Sequence, residues 1–272
     1  MKARIHVRGL LAILATVVCL GPIYAQAQTK SSKKKEKSVS ALKVKWGGFI
    51  RTRYRAILND ANESDFIGAN DGFSLDNARL AADLEKGQLS ATISIDGAMD
   101  RRNAFNTATG RVEVGLRDAW LAYRLHDAAQ LRFGQFKPDF DMEELQSTRD
   151  MLFIDRSVES RGVLGIEGYN LNGMSLARQV GAQLFGVVPM STDFRFTYAV
   201  TVSNGSGANR PLNDNEQLAY TARIAIEQKK NLVLGGGFYF NRLSTGEPPD
   251  LVTDEAMGWV VDLTYRRTIG AV

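Results

Sequence analysis

From Lys43 to Leu58 the chain reads KVKWGGFIRTRYRAIL, and every second residue falls into one of two unlike sets. Val44, Trp46, Ile50, Thr52, Tyr54, Ala56 and Leu58 are largely apolar, while Lys43, Lys45, Arg51, Arg53 and Arg55 occupy the opposite parity. A period of two marks a strand whose two faces meet different surroundings. The same period predicts further strands at 76–86, 88–99, 112–125, 130–137, 176–187, 194–202, 217–228, 232–241 and 257–267. It is clearest where Phe194, Phe196, Tyr198, Val200 and Val202 alternate with Arg195, Thr197, Ala199 and Thr201. Near Arg117 and Asp118 the alternation slips by one position, as a β-bulge would make it.

The connections between these ten strands alternate in length. Polar stretches at 59–75, 100–111, 138–175, 204–216 and 242–256 are long; the links at Gly87, at His126 and Asp127, at 188–192 and at Lys229 and Lys230 are short. Outer-membrane barrels have this arrangement, with short turns at one rim, long loops at the other, apolar side chains toward lipid and polar ones toward the lumen. A soluble sandwich or lipocalin-like barrel also explains the alternation, but it has no reason to gather its long loops at one end, and it needs a bulky interior. The expected fold is therefore all-β, a transmembrane antiparallel up-and-down β-barrel. About ten strands leave little bore, since eight are filled by their own side chains and open aqueous channels need roughly sixteen. The last residues, Arg266 to Val272, also lack a terminal aromatic, so the chain reads as a C-terminally truncated part of a larger barrel.

The N-terminal segment changes how the charge is read. In 1–27, Lys2, Arg4 and Arg8 precede an apolar run from Leu10 to Leu20, and Ala25-Gln26-Ala27 supplies small residues for cleavage, which is the pattern of an export signal. The only cysteine, Cys19, lies within it, so the exported chain has no disulfide and no cysteine metal site. The formal charge of +4 also dissolves: the signal carries three positive charges and 28–45 a net six, which leaves the body at −5. The lysine-rich 28–42 reads as a solvated periplasmic linker, with contact to anionic lipid as the alternative. Nothing in an exported, acidic body points to nucleic acid.

Arginines two apart on one strand face lie about 7 Å from each other. At an effective dielectric near 20 each adjacent pair repels by on the order of 2 kcal/mol. Arg51, Arg53 and Arg55 must therefore attract either passing anions, as basic rings do in anion pores, or carboxylates of neighbouring strands such as Asp83, Glu85 and Asp96. Arg79, Arg132, Arg195 and Arg223 share the lumen parity, and Lys137 follows the fifth strand, so all are candidate pore-lining anion-binding residues. Catalytic chemistry finds no support: His126 is the only histidine after the signal and falls in a turn, so a Ser–His pair on adjacent strands has no histidine to use. No metal-ligand or cofactor motif is present. Gly235-Gly236-Gly237 sits inside a strand without a following helix or lysine, and reads as close strand packing rather than a phosphate loop.

Two runs carry a family likeness, Gly115-Leu116-Arg117-Asp118-Ala119-Trp120 and Leu131-Arg132-Phe133-Gly134-Gln135-Phe136-Lys137-Pro138. With Phe153-Ile154-Asp155-Arg156-Ser157, the stretch from Arg178 to Gly186, and Ser203-Asn204-Gly205, the chain resembles the phosphate-selective porin O and P family. The resemblance implies a trimeric, sixteen-stranded outer-membrane channel for phosphate or polyphosphate, with 43–272 as barrel and 138–175 folded into the bore as a constriction. Its implied partners are membrane lipid and small anionic solutes. Two features depart from the family: Asp139 stands where a second proline is usual, and the long loop is rich in acid. Asp139, Asp141, Glu143, Glu144, Asp150, Asp155 and Glu159 oppose the basic ladder there. A non-conducting structural or adhesive barrel is the alternative function.

Overall fold

Strand after strand, the two parities resolve onto two faces of one antiparallel sheet. The computed structural model describes residues 10–20, 41–57, 72–98, 113–151, 153, 156–157, 176–206, 212–213, 217–229, 231–245 and 252–266. The sheet runs β1 (Leu10–Leu20), β2 (Lys43–Ile57), β3 (Gly72–Lys86), β4 (Leu89–Ala98), β5 (Glu113–His126) and β6 (Ala129–Phe136), in chain order. It continues through β7 (Gln179–Pro189), β8 (Phe194–Ser203), β9 (Ala219–Gln228), β10 (Leu232–Thr245) and β11 (Val252–Tyr265). Each strand pairs only with its sequence neighbours, and β1 and β11 are unpaired edges, so this is an up-and-down sheet of barrel class that does not close on itself. No described helix is long and apolar enough to cross a membrane.

Strands β2 to β11 are the ten that the alternation predicts, and their connections keep the long–short order. β1 stands apart from that order. It is the apolar centre of the segment that reads as an export signal, and its backbone pairs with β2 from Leu10 opposite Ile57 to Leu20 opposite Gly48. Its sequence, LLAILATVVCL, has no polar parity to face a lumen. An exposed edge of unpaired N–H and C=O groups takes up such a β-branched apolar segment readily. Residues 1–9, 21–40 and 158–175 lie outside the described residues, and with them most of the signal and linker and the middle of the long loop.

The outward face carries Trp46, Ile50, Ile93, Leu121, Phe133, Val200, Ile224, Phe238 and Trp259, all exposed, the last at 73%. A continuous belt of this size on a water-soluble monomer would drive association; against lipid it is the expected surface. The inward face is buried and polar, with Arg51, Arg53, Asn77, Asp96, Gln183, Thr201, Thr221 and Arg223. Two bulges add to it. Asp76 is the extra residue where β3 slips against Arg51 and Thr52, and Arg117 is the extra residue where β5 slips against Ser94 and Ile95. The second is the slip anticipated at Arg117 and Asp118. Gln135 caps it, its amide donating to the carbonyls of Leu116 (3.0 Å) and Arg117 (2.8 Å).

The connection from β6 to β7 begins by folding back across the inner face. After Pro138 come a single-turn helix, α1 (Met142–Leu145), and a 3-10 turn (Thr148–Asp150). Phe140 and Leu176, from the two ends of this connection, meet Tyr239 of β10 in a small apolar cluster, Phe140 standing edge-on to the tyrosine ring at 5.1 Å. Gly237 makes this approach feasible, because a Cβ there would lie 2.1 Å from the Phe140 carbonyl oxygen.

Candidate functional site

The inward arginines meet carboxylates at nearly every level. Arg53 Nε lies 2.8 Å and Arg51 Nε 3.5 Å from Asp76 Oδ2, so the bulge residue sits between the two guanidinium groups. The Arg55 side chain lies outside the described residues. Arg79 donates through Nη2 (2.7 Å) and Nε (3.1 Å) to Asp96, which also accepts from the Asn77 amide and the Ala78 backbone. Arg195 donates to Glu227 across β8 and β9 (2.8 Å). Arg223 grips both oxygens of Asp262 (2.6 and 2.7 Å) and donates a third hydrogen bond to the Phe140 carbonyl (2.7 Å), while Asp262 accepts from Met142 N (3.3 Å). Arg223 thus ties the loop to the far wall.

Arg132 differs from the others. Its guanidinium is enclosed by three rings, Trp120 at 4.7 Å, Phe136 at 5.3 Å and Phe185 at 4.6 Å. Strand register produces the enclosure: Arg132 is opposite Ala122 on β5 and Gln183 on β7, so the inward rings one pair away on each side close around it. Aromatic faces stabilise the cation by about 0.5–2 kcal/mol each without neutralising it. Its buried Nε has no hydrogen-bond partner among the described residues, and the same holds for Arg178 Nη1. Arg178 itself is 5% exposed and held on Asp118 by Nε at 2.8 Å and Nη2 at 3.3 Å.

These groups line one cavity of about 360 Å³ between the loop and β3–β7. Six cations, Arg79, Arg117, Arg132, Lys137, Arg156 and Arg178, face three carboxylates there, Asp118, Asp139 and Glu144. The loop is braced from within: Lys137 Nζ bonds the Glu144 carboxylate (2.8 Å) and carbonyl (2.7 Å), and Arg156 reaches the carbonyls of Glu143 and Gln146. Asp141 caps α1 by accepting from Glu144 N at 2.7 Å. Of the eight basic residues expected to line the pore, the structure gathers Arg79, Arg132 and Lys137 in this cavity. Arg51, Arg53, Arg195 and Arg223 stand elsewhere on the inner face. Arg117, Arg156 and Arg178 were not anticipated, though a signal existed for each: the alternation slip, the run from Phe153 to Ser157, and the start of β7.

Burial pushes the Asp139 carboxyl up, against the pull of Arg132, Gln183 and Arg223. Burial likewise pushes Asp141 up to about 6, opposed by the hydrogen bond from Glu144 N and reinforced by the Glu144 charge. A carboxyl whose folded value lies above the ordinary 3.8 binds its proton more firmly in the folded state. Its contribution is therefore complete at pH below that ordinary value and is lost as pH rises through about 6. Anion preference should accordingly rise on acidification from pH 7.5 to 5, with a midpoint near 6, as one loop charge disappears beside Lys137, Glu143 and Glu144. Asparagine caps a helix as well as aspartate, so Asp141→Asn should flatten this step in zero-current potential while leaving the loop in place.

An antiparallel up-and-down sheet with a lipid-suited outer belt, a charged inner face and a loop turned inward defines a porin. The family model for phosphate-selective porin O and P matches residues 50–247, and the chain belongs to that family. Its members are outer-membrane channels rather than enzymes. Neither a curated protein nor a solved structure matched the chain. Four of the five fragments that carry the family likeness, those between Gly115 and Gly186, supply Arg117, Asp118, Trp120, Arg132, Phe136, Lys137, Arg156 and Arg178, so they converge on the wall of one cavity, while Ser203-Asn204-Gly205 lies outside it.

Proposed function

We propose that this chain forms a passage for small anions, phosphate and polyphosphate among them, by passive diffusion across the outer membrane after export by a cleaved signal. The observation that carries this reading is the cavity under the loop, where six cations face three carboxylates. Preorganised cations in a site of low effective dielectric attract an anion far more strongly than they would in water, and several partly compensated sites in series let it leave again. The paired ladder of Arg51, Arg53 and Asp76 fits a stiff charged wall along the route. A trimer embedded in membrane lipid is the assembly the family suggests.

The test is the zero-current potential across a planar bilayer in a salt gradient. Anion selectivity is expected, and Arg132→Ala should lower it, while Lys229→Ala, in a short turn where the lysine pairs with Asp193, should leave it nearly unchanged. Cation selectivity indifferent to Arg132 would overturn the reading. A second reading, a non-conducting structural or adhesive barrel, is favoured by the inner-face ion pairs, which stiffen the wall. Folded protein that inserts but passes no current would decide for it.

A further inference from the structure

A second cavity, of about 220 Å³, adjoins the basic one. Asp139 and Leu145 belong to both walls. The remaining lining is mostly hydrocarbon, with Met142 from α1 and Phe185, Val187, Tyr198 and Val233 from β7, β8 and β10. Its charged members are matched: Glu227 is held by Arg195, Arg223 by Asp262, and Asp139 faces Arg132, Gln183 and Arg223. Phe185 joins the two spaces, lining the second cavity while its ring lies 4.6 Å from the guanidinium carbon of Arg132 in the first. A bare inorganic anion uses only the first space.

Resting on the reading above, we propose that the lumen binds amphipathic organic anions, phosphate monoesters with an aryl body or an alkyl body of similar size. The head group takes the cavity of Arg79, Arg117, Arg132 and Arg178, and the body takes the neighbouring space beside Phe185 and Val233. Size permits this, since an apolar cavity of ~150 Å³ accepts benzene. Chemistry permits it as well, since an apolar body gains by leaving water and the cationic edge of Arg132 stays available while rings cover its faces. No bond is made or broken. The ester enters, rests across the two spaces and leaves.

The experiment compares block of chloride current in a planar bilayer by phenyl phosphate, methyl phosphate and inorganic phosphate. The two esters share a head group and differ only in the body. Phenyl phosphate is expected to half-block at a concentration roughly ten-fold or more below methyl phosphate, as burial of several apolar carbons predicts, and methyl phosphate should behave as inorganic phosphate does. Val233→Thr keeps the shape, places a hydroxyl in the apolar wall and lies outside the lining of the basic cavity, so it should raise the phenyl phosphate midpoint toward that of methyl phosphate and leave inorganic phosphate unchanged. Equal midpoints for all three anions, with block still present, would overturn this inference and leave the anion channel standing. Conducting channels blocked by none of the three would overturn both.

Discussion

Asp262→Ala is expected to give a larger and noisier unitary conductance in single-channel recording. Asp262 accepts two hydrogen bonds from Arg223 and one from Met142 N. Without it, a guanidinium that is nearly buried on the inner wall loses its counter-charge, and the loop loses one direct tie, from Met142 N, together with the partner that holds Arg223 toward the Phe140 carbonyl. Breaking a buried pair by removing one partner costs about 3–5 kcal/mol. That cost falls on the wall; the loop itself loses a hydrogen bond to a charged group, worth about 1.5–3 kcal/mol, which shifts its docked fraction by roughly ten- to a hundred-fold. The Arg223→Ala/Asp262→Ala double variant should recover barrel stability on a heat-modifiability gel, because no unpaired charge remains, but not the parent conductance, because the tie from Arg223 to the Phe140 carbonyl is lost as well. Conductance identical to the parent protein in the single variant would show that the loop is held by the Phe140, Leu176 and Tyr239 cluster and not by the ion pair.

Asp96→Ala should lower the temperature at which the folded band shifts on a heat-modifiability gel more than any other single change in the wall. Asp96 is fully buried and accepts from Asn77 Nδ2 at 3.0 Å, Ala78 N at 3.1 Å and twice from Arg79. Alanine leaves a backbone donor, an amide and a charged guanidinium without their shared acceptor, a loss of about 3–5 kcal/mol. Asp96→Asn keeps an acceptor oxygen and should recover a large part of it. An unchanged transition in Asp96→Ala would mean that water satisfies these donors and that the inner face is wetter than its burial indicates.

The alternation made the strands legible because lipid and lumen impose opposite demands on neighbouring residues, and β8 and β9 fall where the pattern puts them. It failed where a bulge breaks the parity. In β3, Phe73 and Leu75 belong to the outer face with Ala78 and Leu80, but the extra residue Asp76 offsets the two halves, so the pattern reads as starting late. β11 begins at Val252 although its opening Val252-Thr253-Asp254-Glu255 resembles loop. Glu255 is there a cross-strand partner of Arg242 at 2.8 Å. For the site, parity correctly put Arg51, Arg53, Arg79 and Arg223 inside. Of their partners, Asp96 is among the carboxylates the sequence offers, though it pairs with Arg79 and not with the ladder; Asp76 and Asp262 become neighbours only through register, and the loop's fold against Gly237 depends on contacts more than ninety residues apart in the chain.

The two bulges also set which changes in chain length the wall can absorb. Loss of one residue from the regular part of a strand displaces everything on one side of the cut by one position, so the lipid-facing and lumen-facing side chains exchange places. Arg117 is different, because Leu116 and Asp118 already pair with successive residues, Ile95 and Ser94, across β4. Its deletion would leave both halves of β5 in register and remove only one inward cation, and the same argument holds for Asp76 between Leu75 and Asn77. These are the positions at which a lumen charge can be added or dropped by a single-codon insertion or deletion without turning a strand inside out.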